Sequence, residues 1–296
     1  MKVHKLAGID IGSNSVRLLV SNVIESEDKV LFKKSSLTRL PIRLGPDAFS
    51  TGRISDENVN RLVTGMAAYR KIMEVHGVEK YRACATSALR EAKNGIQVVE
   101  KIYRETGVNI ELITGKEEAR MIFSSDMIGD VADAHETFLY IDVGGGSTEL
   151  TLFHKGEIQN SRSFKIGTIR LLKDLVKKKR WDEMKDWIQE ISNTFDEVLM
   201  VGSGGNINRT FKMAQKQKGE MMSLKGLKTI RETILEYDDD ARMIEFDLNP
   251  DRTDVLPHAL KIYTNAMKWA GSENMIVPKK GLADGIVRFL FRAHYQ

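Results

Sequence analysis

The chain has 296 residues, of which 42% are hydrophobic and 29% charged, a composition typical of folded domains with sizeable cores. Its formal net charge of +4 is too small to indicate a dedicated nucleic-acid binder, and a single cysteine, Cys84, excludes an internal disulfide and a multi-cysteine metal site. No long apolar signal core opens the chain, and no apolar run approaches ~18 residues. We therefore expect a cytoplasmic protein that neither spans a membrane nor binds a nucleic-acid polymer.

The first half of the chain predicts three strands followed by alternating helices and strands. Residues 6–23 are typical of a strand, a glycine turn and a second strand, and residues 30–40 form a third β-rich run. A helix begins near Ser55, and apolar residues at helical spacing continue it to Val75. The same criteria predict the remaining elements, which are a strand at 82–86, a helix at 94–105, a strand at 109–114 and a helix at 117–128.

The same pattern restarts in the second half. Strands are predicted at 138–143, 148–153 and 158–165, and a glycine turn at 144–146 joins the first two. The later elements are helices from 168 and over 182–197, a strand at 198–201 that leads into Gly202-Ser203-Gly204-Gly205, helical stretches at 224–245 and 255–269, a strand at 275–277 and a helix at 282–293.

The two halves contain matching segments. Residues 9–15 (Ile-Asp-Ile-Gly-Ser-Asn-Ser) correspond to residues 141–147 (Ile-Asp-Val-Gly-Gly-Gly-Ser), and each segment is an apolar strand, an aspartate and a small-residue turn. Late in each half, an acidic residue enters the first turn of a helix, at 113–118 and at 280–284. Duplicated βββαβαβα lobes with a cleft between them are the predicted α/β architecture. We place the lobes at 1–123 and 124–296, and we expect the last helix to pack back toward the first lobe.

The two aspartate–glycine turns are candidate phosphate-binding loops. A turn of glycine, serine and asparagine exposes several backbone N–H groups, which can hold phosphate oxygens together with the hydroxyl groups. Asp10 and Asp142, which precede the turns, stand where a carboxylate could hold a hydrated Mg²⁺ against the phosphates. The alternative is a pair of ordinary hairpins with glycines at positive φ. Two matched copies, each behind an aspartate, favour phosphate binding.

Six blocks in order, from residue 6 to about 290, are similar to those of the exopolyphosphatase/guanosine pentaphosphatase (Ppx/GppA) family. The blocks are Asp10-Ile11-Gly12-Ser13-Asn14-Ser15-Val16-Arg17-Leu18, Ala85-Thr86-Ser87-Ala88-Leu89-Arg90-Glu91-Ala92-Lys93-Asn94, Gly115-Lys116-Glu117-Glu118-Ala119-Arg120, Asp142-Val143-Gly144-Gly145-Gly146-Ser147-Thr148-Glu149, Gly202-Ser203-Gly204-Gly205 and Leu282-Ala283-Asp284-Gly285. The chain resembles the short, two-domain members of the family.

The resemblance implies a fold, an activity and cofactors. The fold is the two-lobed actin-like, ribonuclease H-like fold of the actin, sugar kinase and heat-shock ATPase superfamily. The activity is hydrolysis of terminal phosphoanhydride bonds, with release of orthophosphate from inorganic polyphosphate, or conversion of guanosine pentaphosphate to the tetraphosphate. The expected cofactor is Mg²⁺ or another divalent ion, with a monovalent cation as a further option. By analogy, we expect a homodimer that binds a polyanionic phosphate substrate.

The resemblance also implies roles for individual residues. Glu118 is the expected catalytic base, and repulsion from bound phosphate would strengthen its basicity. Glu117 is expected to be structural, and Arg90 to neutralise charge on the transferring phosphoryl group. The expected phosphate-binding residues are Gly12, Ser13, Asn14, Ser15, Arg17, Gly144, Gly145, Gly146, Ser147, Thr148 and Gly204. The expected metal ligands are Asp10, Asp142 and Glu149.

Other interpretations remain open at this point. A kinase of the same fold, or a sensor that binds polyphosphate or alarmone without chemistry, would use the same loops. Ile207 stands where a dinucleotide fingerprint needs glycine, and the chain has no P-loop motif. Basic clusters at 177–180, at Lys212, Lys216 and Lys218, and at 279–280 could contact a polyphosphate chain. Solvated helix faces are the alternative for these clusters.

Overall fold

The computed structural model describes residues 1–123, 135–195, 197–217 and 219–296. The chain forms two compact units. Unit 1 comprises residues 1–125 and 281–296, and unit 2 comprises residues 126–280. The lobe boundary at residue 123 stays a prediction, but the last helix, which we had assigned to the second lobe, groups by contact with residues 1–125. Within the described part of the chain, no helix is both long and apolar enough to cross a membrane.

Unit 1 is built on a five-stranded mixed sheet with the order β3-β2-β1-β4-β5. β1 and β3 pair antiparallel to β2, whereas β4 pairs parallel to both β1 and β5. Its strands are β1 (Lys2–Ile11), β2 (Val16–Glu25), β3 (Val30–Leu40), β4 (Lys80–Ala85) and β5 (Ile110–Leu112). Its helices are α1 (Gly45–Ser50), α2 (Asp56–His76), α3 (Ser87–Glu91), α4 (Gly95–Thr106), α5 (Gly115–Phe123) and the last helix of the chain, α13 (Leu282–Tyr295).

Unit 2 repeats this arrangement and adds one strand. Its strands are β6 (Thr137–Val143), β7 (Thr148–His154), β8 (Glu157–Phe164), β9 (Leu199–Ser203), β10 (Met221–Ser223) and β11 (Asn274–Ile276). The sheet order is β10-β11-β9-β6-β7-β8, in which β6, β7 and β8 are antiparallel neighbours and β9 runs parallel to both β6 and β11. Its helices are α6 (Thr168–Leu172), α7 (Lys178–Thr194), α8 (Gly205–Met213), α9 (Leu224–Leu235), α10 (Asp239–Glu245), α11 (Pro250–Thr253) and α12 (Leu256–Trp269). The predicted duplicated α/β architecture is thus confirmed.

Each unit has its own apolar core, and polar contacts fix the helices that cover it. Helix α2 begins at a serine cap, where Ser55 accepts from the Asn58 N–H, and ends at Gly77 in the left-handed conformation. The buried Tyr69 of α2 donates to the carbonyl oxygens of Val16 (3.0 Å) and Thr38 (3.1 Å). The helix is therefore held against β2, the strand that follows the first turn, and against its neighbour β3.

The structure differs from the sequence prediction mainly where helices are short. The stretch 224–245 forms two helices because the Asp238 side chain accepts from the Ala241 N–H and starts a new helix, α10. Helices α1, α3, α8 and α11 were not predicted, since six, five, nine and four residues are too few to show a clear apolar period. The three-residue strand β10 was missed for the same reason. The predicted helix at 117–128 is seen as α5 up to residue 123. Its remainder, like Lys218, lies outside the described residues.

Candidate functional site

The first hairpin of each sheet carries a turn of the same geometry. The Gly12 N–H donates to the Ser15 carbonyl at 3.1 Å, and the Gly144 N–H donates to the Ser147 carbonyl at 2.9 Å. None of the glycines in these two turns has a positive φ, contrary to the ordinary-hairpin interpretation. A Cβ at Gly12 or Gly144 would instead lie 3.2 or 3.1 Å from the same carbonyl oxygen. These two glycines are therefore suited to close approach of the backbone, as a phosphate loop requires.

The first turn is braced by the second sequence block. The hydroxyls of Ser13 and Ser87 lie 3.0 Å apart, and the Thr86 N–H donates to the Ile11 carbonyl at 3.1 Å. Three residues after Ser87, Arg90 donates through Nη1 to the Ile113 carbonyl at 2.5 Å. Helix α3 thus connects the first turn to the segment that precedes α5.

The second turn is braced by the start of α6. The Thr168 N–H donates to the Gly144 carbonyl at 3.0 Å, and Arg170 Nε donates to the Gly146 carbonyl at 2.7 Å. A Cβ at Gly167 would lie 2.4 Å from the Gly145 carbonyl oxygen, so only glycine fits there. The sequence analysis did not single out Gly167 and Arg170. In the sequence they are only a glycine and an arginine shortly after a strand. Their role becomes visible once the structure shows that this strand ends beside the second turn.

The hydroxyls at the end of the second turn are engaged within unit 2. Ser147 Oγ donates to Glu149 Oε1 at 2.6 Å, and Thr148 Oγ1 donates to the Ile166 carbonyl at 2.7 Å. Ser163 Oγ, from the neighbouring strand, also donates to Glu149 Oε1, at 3.0 Å. A phosphate at this turn would therefore rely chiefly on backbone N–H donors.

The two hairpins differ at one position. Asp10 lies opposite Arg17 across β1 and β2, and Arg17 Nη1 is 3.2 Å from Asp10 Oδ2. At the matching place in unit 2, Asp142 lies opposite Glu149. Burial raises the pKa of Asp10, and the nearby Arg17 only partly offsets this effect. One hairpin therefore presents a carboxylate beside a cation, and the other presents two carboxylates.

The carboxylate pair of unit 2 fits a hydrated divalent ion. Mg²⁺ is typically held by one or two carboxylates and completes its shell with water and substrate oxygens. Asp142 and Glu149, as direct cross-strand partners, provide such a pair, whereas Asp10 is already paired with Arg17. Across the described ranges, no group of three or more metal-type side chains occurs. The three residues stay predicted metal ligands, and Asp142 and Glu149 have the more suitable surroundings.

The two glutamates at the start of α5 have different surroundings. Glu117 Oε2 accepts from the N–H and the Oγ1 of Thr114, both at 2.8 Å, which closes a capping box and lowers the pKa of Glu117. Glu118 is buried, with 9% of its surface exposed. Burial raises the pKa of the Cys84 thiol to about 12, and the charges of Asp10 and Glu118 contribute to that rise. Asp10 and Glu118 therefore lie in reach of the same thiol in unit 1.

Helix α13 supports α5 from the other end of the chain. A Cβ at Gly285 would lie 2.4 Å from the Met121 carbonyl oxygen, so the two helices touch through backbone atoms. Asp284 Oδ2 accepts from the Gly281 N–H at 3.0 Å, the same capping role that Glu117 has in α5. When Asp284 is aligned with Glu117, the next residue of α13 is Gly285, at the position that Glu118 has in α5. The duplicated helices thus carry the candidate base only once.

Gly204 lies against Asp142 in unit 2. Its φ is +114°, and a Cβ there would lie 2.9 Å from Asp142 Oδ1 and 3.3 Å from the Tyr263 hydroxyl. Tyr263 donates to the Ser203 carbonyl, and burial together with the Asp142 charge raises the pKa of Tyr263 well above its usual value. The later glycine block is therefore part of the surroundings of the second aspartate.

Comparison with known proteins identifies a family and several relatives. Residues 23–293 match the Ppx/GppA phosphatase family. A bifunctional 3-dehydroquinate synthase/phosphatase of Fusobacterium nucleatum is 28% identical over 92% of this chain and 44% of its own length. Exopolyphosphatase 2 of Mycobacterium tuberculosis is 34% identical over 58% of this chain and 54% of its own length. A guanosine-5'-triphosphate,3'-diphosphate pyrophosphatase of Aliivibrio fischeri is 25% identical over 95% of this chain and 58% of its own length. The chain spans about half the length of these curated relatives.

Solved structures share the fold over the whole chain. An exopolyphosphatase from Cytophaga hutchinsonii superimposes with a TM-score of 0.82 at 22% identity, covering 98% of both chains. The Ppx/GppA family member of Aquifex aeolicus superimposes with a TM-score of 0.77 at 24% identity, covering 100% of both chains. At such identities the likeness concerns the fold alone.

Proposed function

The chain belongs to the Ppx/GppA phosphatase family, and we propose that it hydrolyses terminal phosphoanhydride bonds and releases orthophosphate. The observation that carries this proposal is the pair of matched glycine turns, each of which follows an aspartate at the end of a strand. Inorganic polyphosphate and guanosine pentaphosphate are the substrate classes, as the names of two relatives suggest. A cytoplasmic location and a homodimer stay predictions.

The proposed chemistry assigns proton removal to Glu118. Its carboxylate accepts a proton from water while the water oxygen forms a bond to the terminal phosphorus. The bridging P–O bond breaks, and the shortened chain leaves with the bridging oxygen. The released orthophosphate therefore contains the oxygen of the attacking water. Burial of Glu118 and its fixed place in the first turn of α5 keep the carboxylate in position for this step.

The remaining residues bind and orient the substrate. Backbone N–H groups of the two turns would hold phosphoryl oxygens, and the guanidinium of Arg90 would offset their negative charge. Asp142 and Glu149 would hold Mg²⁺, which would neutralise further phosphate charge. The hydroxyls of Ser147 and Ser163 fix the Glu149 carboxylate by two hydrogen bonds, so that it is oriented before a metal binds.

The test compares orthophosphate release from short polyphosphate, long polyphosphate and guanosine pentaphosphate in Mg²⁺. We expect Glu118→Gln to lower the rate by ~10²–10⁴-fold, because removal of a general base has effects of this size. Glu117→Gln is the matched control, since Glu117 caps the helix and its loss should lower stability but leave the rate within a few-fold. Chelation of Mg²⁺ by EDTA should stop release by the parent protein.

Each contrary outcome has a specific meaning. Unchanged turnover in Glu118→Gln would overturn the assignment of the base. Transfer of the phosphoryl group to ADP, in place of water, would indicate a kinase. Tight binding of all three compounds without release would indicate a sensor.

A further inference from the structure

A basic pocket in unit 2 shares one residue, Arg170, with the site described above, and its other residues have no role in the function proposed so far. It has a volume of about 380 Å³, within the usual range of ligand sites. Five cationic side chains line it together with Glu183 and Leu175, and they are Lys165, Arg170, Lys177, Lys179 and Arg180. The whole chain has 45 lysines and arginines against 41 acidic residues, so its charges are nearly balanced elsewhere. The basic pocket therefore concentrates positive charge at one place.

The basic pocket adjoins the second phosphate turn. Arg170, one of its lining residues, donates through Nε to the Gly146 carbonyl of that turn at 2.7 Å. Lys165, another lining residue, is followed by Ile166, whose carbonyl accepts from Thr148 Oγ1 at 2.7 Å. A chain held at the second turn would therefore have the basic pocket as its neighbour.

Three cations of the basic pocket, Lys177, Lys179 and Arg180, lie at the N-terminus of a helix. Helix α7 begins at Lys178, and its first turn contains lysine and arginine but no acidic residue. A helix N-terminus favours negative charge, so these cations are unfavourable there. Lys177 and Lys179 are exposed and form no ion pair with any described residue, whereas Arg180 pairs with Glu183 at 2.9 Å. An anionic ligand would compensate this unfavourable arrangement.

We propose that the basic pocket binds a segment of an inorganic polyphosphate chain, remote from the phosphate that is removed. The proposal rests on the proposed function, because it assigns the additional contact to the same substrate. A linear polyanion gains affinity from each distributed cation that replaces its counterions. Tripolyphosphate held at the second turn has few further phosphates to contact Lys177 and Lys179, whereas a long chain has many. The basic pocket thus favours long chains over short ones.

The test measures binding in EDTA, so that binding is separated from turnover. The probe is long linear polyphosphate with a fluorescent end label, and the variant is Lys177→Gln/Lys179→Gln/Arg180→Gln. We expect its Kd to rise on the order of tenfold, since each exposed charge contact contributes modestly. The slope of log K against log salt should fall by about two, because three phosphate contacts are lost. Kd for tripolyphosphate, obtained by competition, should stay within about twofold.

A matched control separates the basic pocket from general charge. Lys185→Gln/Lys225→Gln/Lys228→Gln removes the same charge from exposed sites of unit 2 outside the basic pocket and should leave Kd unchanged. Equal Kd values in the two triple variants, or equal losses for long and short chains, would overturn the proposal. If the protein released no orthophosphate but the pocket variant still weakened long-chain binding, the proposed function would fail and the pocket would stand. If the protein released orthophosphate normally but the pocket variant bound long polyphosphate as tightly as the parent, the pocket proposal would fail and the proposed function would stand.

Discussion

Asp10 and Asp142 occupy the same place in two duplicated hairpins, but they face different partners. Asp10 faces Arg17, whereas Asp142 faces Glu149. An aspartate beside an arginine is a polar site of lower net charge, whereas two neighbouring carboxylates form a site that a cation would stabilise. The duplication therefore supplies one arginine-paired site in unit 1 and one candidate metal site in unit 2.

Burial of Asp10 should lower the stability of the metal-free protein at neutral pH. The folded-state pKa of Asp10 is raised above 3.8, so the folded form retains a proton that the unfolded form has lost, and stability falls as pH rises through this interval. We expect Asp10→Asn to raise the free energy of unfolding by about 1 kcal/mol at pH 7. The gain should shrink toward pH 4. Thermal unfolding in EDTA at several pH values measures the effect.

Asp47→Asn is the control with the opposite sign. The Asp47 carboxylate accepts from Ser55 Oγ at 2.6 Å and Asn58 Nδ2 at 2.9 Å, and these bonds lower its pKa. Its stabilising effect should be present at pH 7 and should be lost only as pH falls below about 3.8, so Asp47→Asn should be less stable than the parent from neutral pH down to about pH 4. A gain at pH 7 from both variants would contradict the linkage argument.

At this scale, the sequence predicted the turns better than their supports. The two turns share local residue types, and local pattern is readable without a structure. Gly167 and Arg170 contact the second turn from the start of α6. A contact between segments that are distant in sequence produces no repeating pattern of residue types, so the sequence did not reveal it. The sequence also left open whether the turn glycines adopt positive φ or instead allow a close approach of the backbone, and only the backbone angles distinguish the two.

At the scale of elements, α5 depends on α13 for its position. Gly285 packs on the Met121 carbonyl, three residues after Glu118. Alanine in a helix interior normally adds up to ~1 kcal/mol of stability over glycine. Here the added Cβ would clash with backbone, so we expect Gly285→Ala to destabilise by ~1–3 kcal/mol. Because the clash pushes α5 outward, orthophosphate release should also fall.

Gly281→Ala is the matched glycine-to-alanine control for this prediction. A Cβ at Gly281 would meet no atom within 4 Å, and its φ is negative. We expect a loss of less than about 1 kcal/mol and normal release, because only a helix cap residue is altered. Equal melting temperatures and rates for the two variants would show that the contact of α13 with α5 does not position Glu118.

Strands and long helices were predictable from the sequence, whereas breaks between helices were less so. Strong apolar runs joined by a glycine turn mark β1 and β2 in unit 1 and β6 and β7 in unit 2, and α2 has both a serine cap and a terminal glycine. The boundary between α9 and α10 depends on one side chain, that of Asp238, bonding to a backbone N–H. The sequence predicted one helical stretch over 224–245 because the cap Asp238 and the first turn, Asp239 and Asp240, share one residue type.

At the scale of the whole molecule, unit 1 is discontinuous in sequence and unit 2 is continuous. Helix α13 returns to β1, where a Cβ at Gly8 would lie 2.6 Å from the Ala283 carbonyl oxygen. The buried apolar residues of α13 include Leu282, Ile286, Leu290 and Phe291. Burial of such side chains contributes on the order of 10 kcal/mol, comparable with the whole stability of a domain. Unit 1 without α13 should therefore be unstable.

This argument predicts different behaviour of three fragments. Residues 126–280 contain all of unit 2 and should unfold cooperatively on heating. Residues 1–125 alone should show no cooperative transition, because the face of β1 that α13 covers would be exposed. Residues 1–125 joined to 281–296 by a flexible glycine–serine linker should regain the transition, since the linker restores α13 at high effective concentration. Circular dichroism during heating measures all three. A cooperative transition in residues 1–125 alone, at the melting temperature of the joined fragment, would show that α13 is dispensable for unit 1, and its role would then be limited to positioning α5.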